Sequence, residues 1–549
     1  MKLISSGDIQ YKKPLLNEFI VVYNDKLANI LVNNFSMKYL SSAAINRLEA
    51  ETKLYEFLEK YIQISELLDS DIEIYVQISK EDQILYELLN KKYGKRIIGK
   101  RDYYFLKSKL LFFPKLIILL FINLLFSIIS RLKDIKEKEY DYVVRTYFDH
   151  RSIDEDECLR DEYFGDLIND LKRNGKLLVV YKMIRRSDFV KFLKTKSCGF
   201  DAVSLEYFLS FFKTLNAFKS FLYSRIILNE KFIYKNYDCT ELLQLFINKD
   251  YLTFRGLDVF IEKEIAIKLF DLNPKTILFP YENQTWEKMY PYVKDILKSD
   301  TKITGYQHTG VSYKLLNYFP SKIEKHLPIF PDKIATVGII INNLLLEQAN
   351  YPSEIVVGGA LRFKKHFLKS KSNIEISYPN KKINKKIVYA FSYDLKKYNG
   401  ILNLLIDIFG NTEINVLLKF HPDYIECDIL KSFKKELPKN FMAYGAFKWD
   451  EIFPIVDLVL YDDNSIAFEG MIHGVKTFSV AETEKIYDIT RKFYFNEWKE
   501  NLNKNDLISI KNQLIDETFD KEFEVKKIQK YINNYFTEFN YEDYFTKFI

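Results

Sequence analysis

Cysteine is scarce in this chain: four in 549 residues, Cys158, Cys198, Cys239 and Cys427, with no CxxC pair. That scatter argues against a disulfide framework or a thiolate zinc site and fits a reducing compartment. Glycine (17) and proline (13) are also few. Lys, Ile, Asn and Tyr dominate throughout, so the low glycine content reflects base composition and excludes no fold class. Charge imbalance is missing as well. The 81 basic and 75 acidic residues leave +6, close to neutral at this length. With no basic-aromatic stripe either, a nucleic-acid partner is not expected. The start, MKLISSGDIQYKK, has no long apolar run and no cleavage site, so no signal peptide is expected and the protein is expected to stay in the cytoplasm. His150, His326, His366 and His473 show no metal spacing, and there is no Walker A, GxSxG or HExxH sequence. Neither a metal nor a cofactor is expected.

What is present begins with size. A chain of 549 residues, 48% apolar, predicts two or three domains with sizeable cores. Residues 1–100 read as an N-terminal accessory domain. A helical face runs from Ile45 and Leu48 through Leu54, Phe57, Leu58, Tyr61 and Ile62, broken around Glu51–Lys53, which predicts two helical pieces. Residues 101–139 form an apolar and basic segment. Its centre, Leu110–Ile129, reads LLFFPKLIILLFINLLFSII. It barely reaches the length of about 20 residues that a membrane span needs. Lys100, Arg101, Lys107 and Lys109 precede it, and Arg131, Lys133, Lys136 and Lys138 follow. Cations on both sides oppose a clean crossing. An interfacial or shallow re-entrant segment on anionic lipid is expected, with a buried core helix as the alternative.

From Tyr140 onward, strand and helix patterns alternate. Short apolar runs read as buried parallel strands at Tyr142–Phe148, Leu177–Tyr181, Thr276–Pro280, Lys302–Tyr306 and Ile355–Gly358. They define a first Rossmann-like lobe, 140–368. A polar linker, 369–386, follows. The pattern restarts at Ile387–Ser392, Ile414–Lys419, Leu458–Tyr461 and Lys476–Val480, a second lobe over 387–483. Charged C-terminal helices fill 484–549. Two βαβ successions joined by a linker predict an α/β protein of the GT-B class, with two doubly wound lobes facing a cleft.

In open α/β sheets ligands bind beyond the carboxyl ends of the strands, so the residues just after each strand carry the chemistry. After TILF comes Pro280-Tyr281-Glu282, where Glu282 is a candidate general base or a helix-start carboxylate. Glu287, inside the next helix, reads as structural. After KIT comes Gly305-Tyr306-Gln307-His308-Thr309-Gly310. Gln307 is a candidate acceptor-binding residue and His308 a catalytic one, or the segment is a polar loop. Gly358-Gly359-Ala360-Leu361-Arg362 closes the first lobe; Arg362 is a phosphate partner or a surface arginine. In the second lobe, Lys419 and His421 of KFHP can meet a phosphate. Tyr461-Asp462-Asp463-Asn464-Ser465 leads into a helix whose start suits a phosphate. Asn464 or Ser465 would cap that helix, Glu469 one turn on could accept from ribose hydroxyls, and Gly474 would end it. An ordinary capped helix is the alternative.

This succession, with PDKIATVG between the QH and GGALR elements and with KFHP and YDDNSIAFEGMIHG after the linker, resembles bacterial surface-carbohydrate glycosyltransferases of the GT-B fold. Its His-Pro and following Ser elements are similar to those of sialyltransferase and Kdo-transferase families, which use CMP-sugars. The resemblance implies that His421 and Ser465 hold the CMP phosphate. Asn464-Ser465 stands where those families have paired hydroxyl residues. CDP-alditol phosphotransferases of teichoic acid synthesis show similar elements. The implied activity is metal-independent transfer of a sugar from a nucleotide donor to a surface polysaccharide or lipid-linked glycan, at the cytoplasmic face of the inner membrane. The rival readings are a GT-B sugar-nucleotide epimerase and a non-catalytic assembly scaffold.

Overall fold

The computed structural model describes the chain except residues 1, 7–22, 71–72, 81, 101–103, 136, 138, 150, 155, 198, 312–314, 364–384, 392–397, 421–435, 444–451, 462–465, 481–500, 520–531 and 538–543. Among the described residues there are two large parallel sheets and two small ones.

At the N-terminus, β1 (Lys2–Ser5), β2 (Ile74–Gln77) and β3 (Ile97–Ile98) form a small parallel sheet. The expected break in the first helical face is real. Helices Glu49–Thr52 and Leu54–Ser70 are separated at Lys53, whose φ of 57° is left-handed. This segment shares one continuous core with the first lobe. The buried Arg47 guanidinium reaches Glu324 with bonds of 2.8 and 2.7 Å. Asn24 donates to the Phe319 carbonyl (2.7 Å), and Lys288 to Asn46 Oδ1 (2.7 Å). The sequence read these residues as an accessory domain; structurally they are packed into lobe one.

The first lobe is built from β4 (Tyr142–Phe148), β5 (Leu177–Met183), β6 (Asp201–Ser204), β9 (Thr276–Tyr281), β10 (Lys302–Gln307), β11 (Lys333–Thr336) and β12 (Glu354–Val357). Between them lies a short hairpin, β7 (Ile233–Tyr234) with β8 (Tyr237–Asp238). The seven main strands are parallel in the order β12-β11-β10-β9-β4-β5-β6. Counted along the sheet, this is the doubly wound order 3-2-1-4-5-6 extended by one strand, with its reversal between β4 and β9. The second lobe is β13 (Lys386–Ala390), β14 (Asn415–Lys419), β15 (Phe441–Ala443), β16 (Leu458–Tyr461), β17 (Lys476–Val480) and β18 (Asn501–Leu502), in the order β15-β14-β13-β16-β17-β18. Of the proposed linker, 369–384 lies outside the described residues, and Lys386 already opens β13.

The C-terminal tail serves both lobes. Helix Lys504–Ile515 buries Leu507, Ile510 and Leu514 in the second lobe's core. Tyr535, Phe536 and Phe548 pack in the first lobe's core. There Thr537 bonds Val337 and Ala360 through the backbone (3.0 Å each). A Cβ on Gly338 would stand 2.0 Å from the Tyr535 carbonyl oxygen, so the tail crosses that position only over a glycine. Two Rossmann-like lobes with a tail returning to the first make this an α/β protein of the GT-B class.

The apolar segment is a helix, Phe112–Ser130, with mean hydropathy 2.4 and 17% of its most apolar window buried. It is therefore not a buried core helix. Pro114 falls in its first turn, where no intrahelical N–H bond is lost. Phe112 stacks on Tyr251 (5.1 Å) and Phe254 (4.9 Å), anchoring the start to the first lobe.

The expectation of free thiols holds for buried Cys239. Cys158 departs from it: it is disulfide-bonded.

Candidate active site

Strand β9 is fully buried and ends at the sheet's reversal. Its pairing with β4 stops at Val144↔Leu278, while its pairing with β10 runs on to Tyr281↔Gln307. Pro280 brings no N–H to either ladder. The sheet therefore parts between β4 and β9 at its carboxyl end, where a doubly wound sheet opens its crevice. Glu282 is the first residue beyond β9.

A tight turn aims it. Asn283 adopts a left-handed φ of 56°. Glu287, buried one turn into the following segment, accepts from the backbone N–H groups of Glu282 (3.1 and 3.0 Å) and Gln284 (3.0 Å). Asn317 donates to the Glu282 carbonyl, and Asn283 donates to the Asn317 carbonyl (2.5 Å). Glu287 is thus scaffold, as its place in the sequence suggests. Burial holds its carboxyl well above the usual range, and the nearby Glu282 charge adds to this.

The Glu282 carboxylate accepts from the Gln284 amide on one oxygen. The other oxygen accepts from Thr309 Oγ1 at 3.3 Å. His308 Nε2, at the end of β10, lies 3.8 Å from the same oxygen. That is too long for a direct hydrogen bond. Burial raises the Glu282 pKa above its ordinary 4.5, against the pull of the Gln284 and Thr309 bonds. His308 moves the other way, down to about 3, through burial first and the Arg362 charge second. A hydrogen bond with the Tyr306 backbone pulls His308 upward, but burial and the Arg362 charge outweigh it, so the imidazole stays neutral at physiological pH. Tyr163, from the loop after β4, packs edge-on against the His308 ring at 4.7 Å. Arg362 sits in the short helix Leu361–Phe363 after β12, close enough to bias both Tyr163 and His308. A carboxylate of raised pKa, a neutral imidazole and a guanidinium thus converge at one switch point. That set can take a proton from a hydroxyl or carbon, return one, and balance a phosphate charge.

The structure brings Glu282, His308 and Arg362 together and takes Gln307 away. Gln307 is fully buried, its amide donating to the Thr309 carbonyl and accepting from Val337 N (3.3 Å). It ties β10 to β11 and offers no polar atom to an acceptor, because its place on the strand points it into the sheet. Thr309, Tyr163 and Asn317 were not singled out from sequence. Thr309 adjoins the His308 element and could have been weighed with it; Tyr163 sits in a loop with no motif.

In the second lobe, Lys419 is the last residue of β14, half-buried beside Phe391 and Phe420, whose rings stack at 4.9 Å. Glu469 lies half-buried on the helix Ile466–Ile472. Met471 and Ile472 of that helix group with the first lobe's core, so Glu469 stands where the lobes meet. Gly474 closes the helix at φ 73°, as expected. His421, Asn464 and Ser465 lie outside the described residues. Among the described residues no cluster of His, Cys, Asp and Glu has metal-holding geometry.

No protein-family model and no curated protein sequence matches the chain. Solved structures do. UDP-GlcNAc 2-epimerase from Neisseria meningitidis bound to UDP-GlcNAc is 11% identical, with a TM-score of 0.44, over 74% of this chain and 97% of that one. The Methanocaldococcus jannaschii UDP-GlcNAc 2-epimerase in complex with UDP-GlcNAc and UDP is 13% identical, TM-score 0.40, over 71% and 98%. A glycosyltransferase from Rickettsia africae is 12% identical, TM-score 0.38, over 72% and 94%. Likeness at this level assigns no substrate to the present chain.

Proposed function

We propose that this chain is an enzyme acting on nucleotide-activated sugars, with Glu282 as its proton-transfer group. The observation that supports this is the raised-pKa Glu282 carboxylate beside neutral His308 and Arg362 at the reversal of a doubly wound sheet. In the transfer reading, the acceptor oxygen attacks the anomeric carbon and the bond from that carbon to the phosphate oxygen breaks. The nucleotide leaves with the bonding pair, and Glu282 takes the acceptor proton. Arg362 balances charge on the leaving phosphate. The exposed apolar helix suits an acceptor carried on lipid. The donor nucleotide would lie on the second lobe near Lys419, His421, Asn464, Ser465 and Glu469; a CMP-sugar and a CDP-alditol are both tested donors below.

Epimerisation of a sugar nucleotide is the second reading. The same acid–base pair can remove a proton from a sugar carbon and return one, and epimerisation is the activity of two of the three solved structures above. Product analysis separates the readings. Wild-type protein is incubated with nucleotide sugars with and without a glycan acceptor, beside Glu282→Gln. Turnover of the nucleotide sugar alone to an isomer means epimerisation; acceptor-dependent nucleotide release means transfer. Full activity in Glu282→Gln overturns the assignment of the site.

A further inference from the structure

We infer that the Phe112–Ser130 helix is an in-plane membrane anchor, lying half-immersed in an anionic lipid surface and not crossing it. This inference is independent of which sugar reaction the site performs.

The helix is about 28 Å long at 1.5 Å per residue, enough to cross a bilayer core end to end. Its contacts forbid that orientation. Phe112 at its start stacks on Tyr251 and Phe254, and Phe126 near its end meets Phe189 edge-on at 4.6 Å. Ser127 and Ser130 are buried. One face is therefore fastened to the first lobe along its whole length. A helix held in that way enters lipid only sideways.

The opposite face is apolar and open. Phe113 (64% exposed), Ile117, Phe121 (67%), Leu125 and Ile128 (67%) recur at spacings of three and four, forming one stripe. The neighbouring helix Phe211–Leu222 packs along this one and adds exposed Phe211, Phe212 (80%) and Leu215. The helix's uncharged polar side chains donate within the helix: Asn123 to the Leu119 carbonyl (2.8 Å), Ser127 to Leu124 (2.9 Å) and Ser130 to Ser127 (2.9 Å). They make no demand for water, as an apolar medium requires.

Charge selects lipid as the occupant. Lys107, Lys109 and Lys115 are exposed at the amino end of the stripe, where they can meet anionic headgroups. At the other end, Arg131 donates to the Leu209 carbonyl (3.3 Å) and Lys133 to those of Phe192 (3.3 Å) and Thr195 (2.8 Å). Those two cations hold the helix to the lobe, so among the described flanking residues the lipid-directed charge lies at one end.

The test is flotation of the full chain with vesicles of phosphatidylcholine, with and without phosphatidylglycerol. Binding that requires phosphatidylglycerol is expected. It should be lost in Phe121→Asp with Leu125→Asp, both exposed and hence harmless to folding. Each of Lys107→Glu, Lys109→Glu and Lys115→Glu should weaken it by roughly fivefold or more. Orientation is read from Leu110→Cys and Leu132→Cys labelled with a membrane-impermeant maleimide on intact vesicles: both sites should react. Protection of one site means a span and overturns the in-plane claim. Absence of flotation overturns the lipid claim, and a doubled solution mass that the Phe121/Leu125 variant abolishes assigns the stripe to a second copy of the chain.

Discussion

Glu282 and His308 stand at the carboxyl ends of adjacent strands with a carboxylate oxygen and an imidazole nitrogen 3.8 Å apart, and burial drives both toward their uncharged forms. A carboxylate of raised pKa beside a neutral imidazole, in a crevice that splits its sheet, is suited to proton transfer. The predictions follow from that pairing and from the contacts that hold the crevice in place.

Glu282→Gln keeps the Gln284 and Thr309 contacts in shape but removes the base. Turnover should fall by about 10²- to 10⁴-fold with melting temperature unchanged. In the wild type, the acid limb of kcat/KM should lie above the ordinary carboxylate value of 4.5, because burial raises this pKa.

His308 should not titrate between pH 5 and 8. Its folded pKa is depressed from 6.5 to about 3. The folded state therefore opposes protonation, and this group's contribution to stability is lost as pH falls from 6.5 towards 3. Imidazole resonances followed by NMR, with His308→Asn to assign the signal, check this. A His308 signal moving with a midpoint near 6.5 contradicts it.

The N-terminal segment is clamped to the first lobe by the fully buried Arg47–Glu324 pair. Glu324→Gln leaves the Arg47 guanidinium without its counter-charge. A loss of about 3–5 kcal/mol is expected, read as a lowered melting temperature and early proteolysis within residues 1–98.

Gly338→Ala forces a methyl into the Tyr535 carbonyl, which stands 2.0 Å from that Cβ position. The tail should detach from the first lobe. Limited proteolysis should cleave the variant's C-terminus while the wild type resists.

Much of this architecture was legible in the sequence. Tyr142–Phe148, Leu458–Tyr461 and Lys476–Val480 read as strands with the bounds they have, because each is a short run rich in aliphatic, aromatic or β-branched residues between helical patterns. Among the strands that sequence did not show, Asp201–Ser204, Lys333–Thr336, Phe441–Ala443 and Asn501–Leu502 are short or polar. They sit where neighbouring strands, not their own composition, fix them. Glu282 and His308 could be singled out in the sequence because each follows a clear strand. The order of strands that puts them at the reversal is a property of pairing, which no local pattern carries. Gln307 was misread for the same reason: only the β10–β11 pairing shows that its amide is used inside the sheet.

The most direct measurement is a thermal shift of the pure protein with CMP, CDP, UDP, GDP and dTDP. A nucleotide at about 100 times its dissociation constant adds about 2.7 kcal/mol to the folded state, which a melting curve resolves. A sugar-nucleotide enzyme predicts stabilisation by at least one of the five, with CMP or CDP supporting the CMP-sugar or CDP-alditol donor and UDP, GDP or dTDP discarding it. No shift with any of them contradicts the account.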